Sequence, residues 1–252
     1  MATVLEGRGV TKYFGGLPAL EDLDFHLAEG EILGLIGPNG AGKTTLLNVI
    51  TGMTPLTGGE IWYRGRRVDG MKPYRIGRMG IARTFQVVKP FAGMALFDNV
   101  LVGAFYGRAR ERDPRMAREQ AGEILSLVGL AEKGSVLASE TTIADRKRLE
   151  LARALAMRPD VLLLDEVMAG LNPTEVAAMM DLLREIGRRG MSMLVIEHVM
   201  QAIMGVSDRI LVLAHGRKLA EDAPDRVARH PAVIEAYLGE RYARMDESGD
   251  SV

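Results

Sequence analysis

The segment at residues 37–45, which reads GPNGAGKTT, is the feature that most constrains how this chain folds. It matches the pattern G-x-x-x-x-G-K-[ST] and lies between an apolar, strand-length run at 32–36 and a predicted helix at 43–51. Gly40 and Gly42 allow the backbone to curl so that its N–H groups point inward, and the helix N-terminus adds positive potential. The three parts together predict a phosphate-binding P-loop, and therefore an α/β fold.

The side chains of this loop have expected roles in binding a nucleoside triphosphate and Mg²⁺. Lys43 is expected to reach the β- and γ-phosphates, and Thr44 to offer its hydroxyl to the metal. The other expected nucleotide contacts are Gly37, Asn39, Gly40, Gly42 and Thr45. The alternative interpretation is a glycine-rich turn that binds nothing.

A pair of acids follows a second apolar run and predicts a metal ligand and a catalytic base. Residues 161–164 read VLLL, and Asp165 and Glu166 come next. Ligands of parallel sheets bind at the carboxyl ends of the strands, where Asp165 is expected to hold Mg²⁺. Glu166 is expected to orient or deprotonate the attacking water. The alternative is that both acids cap the next helix.

Strands and helices alternate along most of the chain, which is typical of an α/β sheet. The strands are predicted at 4–12, 19–27, 32–36, 60–64, 161–164, 193–196, 209–213 and 218–221, and the helices at 43–51, 174–189 and 198–205. Turns are predicted at Gly58-Gly59, before the fourth strand, and at His215-Gly216, as a hairpin.

The stretch from 87 to 158 has no strand pattern and predicts a helical insertion. Apolar residues recur with helical spacing from Ala117 to Val128, and Gly129 follows as a stop. A second helix is predicted at 146–157, before Pro159. The expected domains are a nucleotide-binding α/β lobe (1–86 and 159–221), a helical subdomain (87–158), and a C-terminal helical extension and tail (222–252).

The composition excludes several other classes of protein. The 252 residues suffice for one large domain, and the absence of Cys excludes disulfides, thiol nucleophiles and zinc sites built on Cys. A formal net charge of -1 provides no global attraction to nucleic acid or anionic lipid. No apolar run approaches the roughly 20 residues of a membrane span, and the N-terminus lacks a secretion-signal pattern.

Further short motifs follow along the chain. Gln86 ends the tetrapeptide RTFQ, residues 169–172 read AGLN, and His198 ends VIEH after a predicted strand. In this order around the P-loop and the acid pair, they resemble the ATP-binding subunits of ABC transporters, over nearly the whole chain. The resemblance implies ATP as the nucleotide. It also implies that Gln86 senses the metal and faces a membrane subunit, that His198 is the switch histidine, and that Phe14, or failing it Tyr13, stacks on adenine.

Four shorter matches resemble the subfamily that serves branched-chain amino-acid importers; urea and amide importers use closely similar subunits. They are KYFGGLPAL at 12–20, GLNP at 170–173, GVSDRI at 205–210 and AYLGE at 236–240. The resemblance implies coupling of ATP hydrolysis to uptake of a small polar solute, with branched-chain or other hydrophobic amino acids as the first expectation. It also implies a C-terminal helix near 231–239.

The resemblance implies several partners, none of them nucleic acid. These are a second ATP-binding subunit, two membrane-spanning permease subunits and, indirectly, an external solute-binding protein. The chain would lie peripherally on the cytoplasmic face of the inner membrane. The surface from Gln86 to Phe97, with the apolar Val87, Val88 and Phe91, is expected to dock the permease.

Two departures from the family pattern stand out. Val167 occupies a position that is usually Pro, and the signature loop at 141–145 reads TTIAD, without glycine. Thr142 keeps a hydroxyl with which to contact the ATP of the partner subunit, while Asp145 adds negative charge near phosphate. We therefore expect a heterodimer whose partner carries a glycine-containing signature, with a homodimer as the alternative. Equally open is harmless drift, because helix N–H groups do not depend on side-chain type.

Two other functional classes remain alternatives. A soluble ABC ATPase not tied to transport, acting for example on nucleic acid, would need a basic face, stacking aromatics or tandem ATP domains; the net charge of -1, 5% aromatic residues and single P-loop argue against it. A largely non-hydrolysing nucleotide-binding partner is the second. Glu166 and His198 argue against it for this chain's own site.

Overall fold

The computed structural model describes residues 2–85, 89–108 and 113–237, and it confirms the α/β class. In these ranges the strands are β1 (Thr3–Phe14), β2 (Leu17–Ala28), β3 (Ile32–Ile36), β4 (Gly58–Tyr63), β5 (Arg66–Arg67), β6 (Ile81–Arg83), β7 (Val161–Asp165), β8 (Ser192–Ile196), β9 (Arg209–Ala214) and β10 (Arg217–Asp222). The α-helices are α1 (Lys43–Ile50), α2 (Pro73–Met79), α3 (Leu96–Tyr106), α4 (Pro114–Leu127), α5 (Ile143–Ala156), α6 (Pro173–Arg188), α7 (Met200–Val206) and α8 (Pro224–Val227). Residues 231–237 are also helical, and Gly239, near the end of the predicted C-terminal helix, lies outside the described residues.

The larger sheet has the strand order β10-β9-β3-β8-β7-β6, and all its pairs are parallel except the one between β10 and β9. Both faces of its central strands are covered, which is why their sequences are continuous apolar runs. In β7, Leu162 and Leu164 pack into one core with the helices, whereas Val161 and Leu163 face the opposite core. The alternation places the strand between two hydrophobic layers.

The smaller sheet is antiparallel, with the order β2-β1-β4-β5, and it shares the second core with α1 and one face of the larger sheet. Its first hairpin lies directly against the predicted P-loop. A Cβ added to Gly42 would be 2.4 Å from the carbonyl oxygen of Ala19 in β2. The hairpin thus brings the end of β1, where Phe14 lies, to the same region of the molecule as the P-loop.

Helices α3, α4 and α5 follow one another along the chain between β6 and β7, as the predicted insertion requires. The predicted apolar stripe of α4 is buried at Ala117, Ala121 and Leu125, and Gly129 follows the helix with a φ of +73°. These side chains belong to the same core as the helix-facing side of the larger sheet. In the described parts of the chain, no helix combines the length and the apolar character needed to cross a bilayer.

Several predicted boundaries differ from the structure, and two of the differences have a local cause. Strand β4 begins at Gly58 instead of after a turn, because Gly58 pairs with Thr11 of β1 next to a β-bulge. Helix α5 begins at Ile143, three residues earlier than predicted, because Thr142 caps it. Helix α7 begins at Met200, after His198 and Val199. The predicted hairpin turn at His215-Gly216 is confirmed, with φ values of +49° and +77°.

Candidate nucleotide-binding and catalytic site

The predicted site residues meet at one edge of the larger sheet, because three of its parallel strands end in register. Leu35 of β3 pairs with Ile196 of β8, which in turn pairs with Asp165 of β7. The P-loop follows β3, Glu166 follows β7, and His198 follows β8 by two residues. This edge is the carboxyl edge, where ligands of parallel sheets bind.

The P-loop has a backbone that only glycine allows at two positions. Gly42 precedes α1 with a φ of +101°, and an added Cβ would collide with Ala19. A Cβ on Gly37 would be 2.2 Å from the carbonyl oxygen of Leu213 in β9. The loop is therefore clamped between β2 and β9 while its tip, at Asn39 and Gly40, is exposed to solvent.

Lys43 folds its side chain back over this loop. Its Nζ donates to the carbonyl oxygens of Gly37 at 2.6 Å and Pro38 at 2.9 Å, and the residue is only 7% exposed. Thr44 is exposed and Thr45 half-buried in the first turn of α1. The arrangement concentrates an ammonium group and a helix N-terminus at one solvent-accessible loop, which suits a phosphate.

Asp165 is almost fully buried at the end of β7, with 1% of its surface exposed. Its Oδ2 lies 2.8 Å from Nη2 of Arg83, whereas its Oδ1 is buried without a hydrogen-bond partner among the described residues. A buried carboxylate oxygen without a partner is destabilising, and a bound cation would remove that cost. Asp165 therefore fits Mg²⁺, and Thr44 lines the same cavity of about 680 Å³.

Glu166 and His198 form a close pair at this edge. Glu166 Oε1 and His198 Nε2 lie 2.6 Å apart, and the Glu166 N–H donates to the carbonyl oxygen of Ile196. Glu166 is 9% exposed, and the His198 side chain is 48% exposed. Glu166 has a φ of +53°, a left-handed conformation that a non-glycine residue keeps only when its surroundings enforce it.

Two further predicted residues are Phe14, the last residue of β1, and Gln86. Gln86 lies outside the described residues; the preceding Phe85 donates its N–H to Glu150 Oε1 at 2.6 Å. Phe14 ends β1 with 52% of its surface exposed, and the Lys12 ammonium lies 4.8 Å from the centre of its ring. Tyr13, the second candidate, is half-buried. The exposed ring of Phe14 is the one suited to stacking.

The predicted signature loop forms the N-terminal cap of α5. Thr142 is exposed, and its Oγ1 accepts the Asp145 N–H at 3.1 Å. Burial raises the pKa of Asp145, but hydrogen bonds from Lys133 and Thr142 outweigh burial and hold that pKa below its usual range. Lys133 Nζ lies 2.7 Å from Asp145 Oδ2. The negative charge expected from Asp145 is therefore present, and Lys133 pairs with it.

The segment after the acid pair continues into α6. Val167, which stands where Pro was expected, is buried in the core with 1% of its surface exposed. Asn172 caps α6: its Oδ1 accepts the Glu175 N–H at 3.0 Å, and Glu175 Oε2 accepts the Asn172 N–H at 2.9 Å. Asn172 is among the residue types that helices favour at this capping position.

Four buried charged residues around the site were missed by the sequence analysis: Arg83, Lys147, Glu150 and Glu197. Lys147 Nζ donates to the Glu166 carbonyl oxygen at 2.8 Å, and Glu197 Oε1 accepts the Met168 N–H at 2.7 Å. Burial raises the pKa of Glu197 to about 7, against partial opposition from Met168 and Lys147. The available signal was their position inside the motifs RTFQ and VIEH and in the helix after the signature loop, but nothing local marks them as buried.

Comparison with known proteins agrees with this geometry. Residues 20–169 match the ABC transporter family, and residues 217–243 match the family described as branched-chain amino acid ATP-binding cassette transporter. The chain is 40% identical to the high-affinity branched-chain amino acid transport ATP-binding protein LivG of Salmonella typhimurium, over 94% of this chain and 98% of that protein. It is 38% identical to BraF, of the same description, from Pseudomonas aeruginosa, over the same shares of the two chains.

Solved structures show the same fold. An ATP-binding cassette of an ABC transporter in its ADP conformation is similar with a TM-score of 0.86 and 29% identity, over 95% of this chain and all of the other. A nucleotide-free ATP-binding cassette gives 0.84 and 28%, over 93% of this chain and 98% of the other.

Proposed function

This chain belongs to the ABC transporter family of ATP-binding, ATP-hydrolysing subunits, and on that premise we propose that it powers the uptake of branched-chain amino acids. The relatives named for that transport, in two bacterial genera, align over nearly their full length. The C-terminal match at 217–243 supports the same substrate class. The observation that carries the catalytic part is the Glu166–His198 pair, 2.6 Å apart at the edge that holds the P-loop.

We propose that the loop residues bind nucleotide before any chemistry occurs. Lys43 would exchange its two carbonyl contacts for phosphate oxygens, which are stronger acceptors for an ammonium group. Thr44, Asp165 and Gln86 would hold Mg²⁺, which when bound neutralises charge on the phosphates. Gly37, Asn39, Gly40, Gly42 and Thr45 would complete the phosphate contacts, and Phe14 would stack on adenine.

In the hydrolytic step, Glu166 would orient and deprotonate the attacking water. Its carboxylate is fixed by His198 on one side and by the strained backbone on the other, which limits the reorganisation that the step requires. His198, half-exposed, would then respond to charge on the γ-phosphate. Gln86 would report to the membrane partner whether nucleotide is bound.

We propose that a second ATP-binding subunit completes the site, as a heterodimer. The Thr142 hydroxyl is exposed at the start of α5, and it would turn its proton from the Asp145 carboxylate to a γ-phosphate on the partner. Ile143, 59% exposed, stands where a glycine would leave the backbone open. This chain would therefore give its partner a weaker signature loop than the partner gives in return.

Docking to the two permease subunits is proposed for the surface from Gln86 to Phe97, of which Gln86, Val87 and Val88 lie outside the described residues. Phe91 is 44% exposed, and Arg153 lies over its ring at 4.8 Å. The 680 Å³ cavity beside it runs from Thr44 to Tyr106. The residues that line this cavity would transmit permease movement to the nucleotide. In this arrangement residues 1–86 and 159–221 act as one lobe, residues 87–158 as the second lobe and residues 222–252 as the extension. The chain would lie peripherally on the cytoplasmic face of the inner membrane.

The experiment is reconstitution of this chain with its second subunit, the permease pair and the solute-binding protein in vesicles. Uptake of labelled leucine, isoleucine and valine is measured with ATP inside, beside urea and short-chain amides. We expect ATP-dependent uptake of the three amino acids only. Uptake of urea or amides in their place would contradict the substrate, and ATP hydrolysis that ignores the permease would contradict the coupling.

A further inference from the structure

Besides Asp145 in its cap, helix α5 carries two buried charged residues, Lys147 and Glu150, which lie one turn apart. Lys147 is 5% exposed and Glu150 is 7% exposed, although the helix also has solvent-facing positions for charge. Residues three apart lie on the same side of a helix. Burying a charge is costly unless it is hydrogen-bonded, so the partners of these two residues identify what the helix is fixed to.

Lys147 fixes the helix to the loop that carries Glu166, the proposed catalytic base. Its Nζ donates to the main-chain oxygen of Glu166 at 2.8 Å, and this bond is buried. Glu197 holds the same loop two residues further on, by accepting the Met168 N–H at 2.7 Å. The short segment from Glu166 to Met168 is therefore held by one cation, on α5, and by one carboxylate, in the residue that follows β8.

Glu166 needs such support because its backbone is strained. A φ of +53° is uncommon for a residue with a side chain, and such a conformation persists only where contacts over-determine it. The bond from Lys147 ends on the Glu166 carbonyl group itself. A shift of Lys147 would therefore rotate the peptide that aims the Glu166 carboxylate.

The start of the same helix is the part that faces outward. Thr142 caps α5 and is exposed, five residues before Lys147, which is about 7.5 Å along a helix. Ile143 Cγ2 lies 4.0 Å from the position that a Cβ on Gly170 would take. The cap and the lysine are thus joined by less than two turns of rigid helix, beside the loop that follows the acid pair.

We propose that Lys147 is a positioning residue that couples the signature cap to Glu166, so that ATP of the partner subunit, on reaching Thr142, sets the catalytic carboxylate of this chain. The proposal rests on the roles proposed above for Thr142 and Glu166. It makes hydrolysis in this chain's own site depend on occupancy of the other site, through one buried hydrogen bond.

The neighbouring residue provides a matched control. Arg148 is also a cation of α5, but its Nη1 donates to the carbonyl oxygen of Val128, between α4 and Gly129. Arg148→Met therefore removes a partly buried contact of the same helix without changing a contact to the Glu166–Met168 segment. Lys147→Arg keeps a cation that can reach the Glu166 carbonyl and is the conservative rescue.

The test uses the assembled transporter with the catalytic glutamate of the partner subunit replaced by glutamine, so that turnover reports this chain's own site. Lys147→Met should lower kcat by about 10- to 100-fold, the order expected for small misplacement of a reacting group, with the Kd for ATP within about twofold of wild type. Arg148→Met should stay within about twofold in both, and Lys147→Arg should recover most of the turnover.

The decisive comparison adds Thr142→Ala. In the wild-type background it should lower turnover at this chain's own site, whereas in the Lys147→Met background it should change nothing further. Equal effects in both backgrounds, or Lys147→Met indistinguishable from Arg148→Met, would overturn the coupling. If Lys147→Met does not fold, Lys147→Gln, too short to reach the carbonyl, replaces it with the same expected outcomes. Failure of the proposed function would give a different result, because then neither the wild type nor Arg148→Met would hydrolyse ATP.

Discussion

Glu166 combines a strained backbone with a short side-chain contact. Its φ is +53°, and its Oε1 lies 2.6 Å from Nε2 of His198. The preceding Asp165 has an opposite environment, with one oxygen on Arg83 and the other buried without a partner among the described residues. Two neighbouring carboxylates are thereby suited to different tasks, one to a cation and the other to a water molecule.

Lys43 and His198 should separate binding from chemistry when each is replaced by Ala. Lys43→Ala should weaken ATP binding by about 10-fold or more, because a charge-assisted contact to phosphate is worth roughly 1.5–3 kcal/mol. His198→Ala should keep the Kd for ATP and lower kcat, because its partner is Glu166. Nucleotide titration and steady-state hydrolysis measure the two effects. The reverse pattern would mean that the two roles are exchanged.

Glu197 should make stability depend on pH. Burial raises its pKa from 4.5 to about 7, so ionising it disfavours the folded state as the pH rises from about 4.5 through 7. Glu197→Gln cannot ionise and keeps an oxygen for the Met168 N–H. We expect its gain in unfolding free energy over wild type to grow between pH 5 and pH 8, by up to about 3 kcal/mol.

Urea denaturation at the two pH values measures this gain. Glu119→Gln, at an exposed position of α4, is the control for removing one negative charge. A gain that is the same at pH 5 and pH 8 would show that the Glu197 carboxylate is not penalised by its surroundings.

At the scale of elements, α5 is the helix on which most of the account depends. Its first turn is closed by Thr142 and Asp145, whose side chains accept each other's backbone N–H groups, and Lys133 neutralises the acid. In its middle, Lys147 donates a hydrogen bond to the Glu166 carbonyl oxygen, and Glu150 accepts one from the Phe85 N–H. One helix thus connects the signature cap with both sides of this chain's own site.

Loss of the Thr142 cap should destabilise the protein measurably. Thr142→Ala removes the oxygen that accepts the Asp145 N–H, and such substitutions cost about 1 kcal/mol. Thr142→Ser keeps the hydroxyl and should cost only a few tenths of that. Denaturant midpoints at constant slope measure both variants. If Ala and Ser prove equally stable, the hydroxyl is not the cap.

How far the sequence predicts an element depends on whether its pattern is local. Strands β3, β7 and β8 and helix α4 were predicted because their apolar runs or stripes are self-evident in short windows. Helix α3 was not predicted: its sequence LFDNVLVGAFY is apolar almost all round, so no polar face marks its period. Strand β6 and helix α2, which lies just before it, were not predicted either. They have three and seven residues, too few to show a clear pattern.

The site residues also divide into those that a local motif predicts and those that only the fold brings together. The P-loop, Asp165, Glu166 and His198 were named from motifs, because each motif is a few consecutive residues with its own chemistry. The ion pair of Arg83 with Asp165 joins residues 82 positions apart, and the bond from Lys147 to Glu166 spans 19. Such contacts follow from how the strands are ordered, and no short window contains that order.

At the scale of the whole molecule, the account predicts two unequal ATP sites. In a heterodimer this chain's P-loop would meet the partner's glycine-containing signature loop, while the partner's ATP would meet Thr142, Ile143 and Ala144. One missing phosphate donor commonly costs about 3 kcal/mol, or roughly 100-fold in rate. Glu166→Gln in this chain should therefore remove most of the turnover of the assembled transporter, more than the equivalent change in the partner.

The inequality should also be repairable. Replacing both Ile143 and Ala144 by glycine should speed up hydrolysis at the partner's site. Equal losses from the two glutamine variants would contradict the asymmetry, as would full activity of a transporter in which this chain is the only ATP-binding subunit.

The central claim is that Glu166 activates the water that hydrolyses ATP, and that this hydrolysis drives solute uptake. The most direct measurement records ATP consumed and leucine taken up in the same vesicles, with wild-type chain and with Glu166→Gln. We predict that the variant binds ATP as tightly as wild type while both hydrolysis and uptake fall by about 100-fold or more, because the carboxylate acts on the water and not on the bound nucleotide. Hydrolysis and uptake at wild-type rates in the Glu166→Gln transporter would contradict the account.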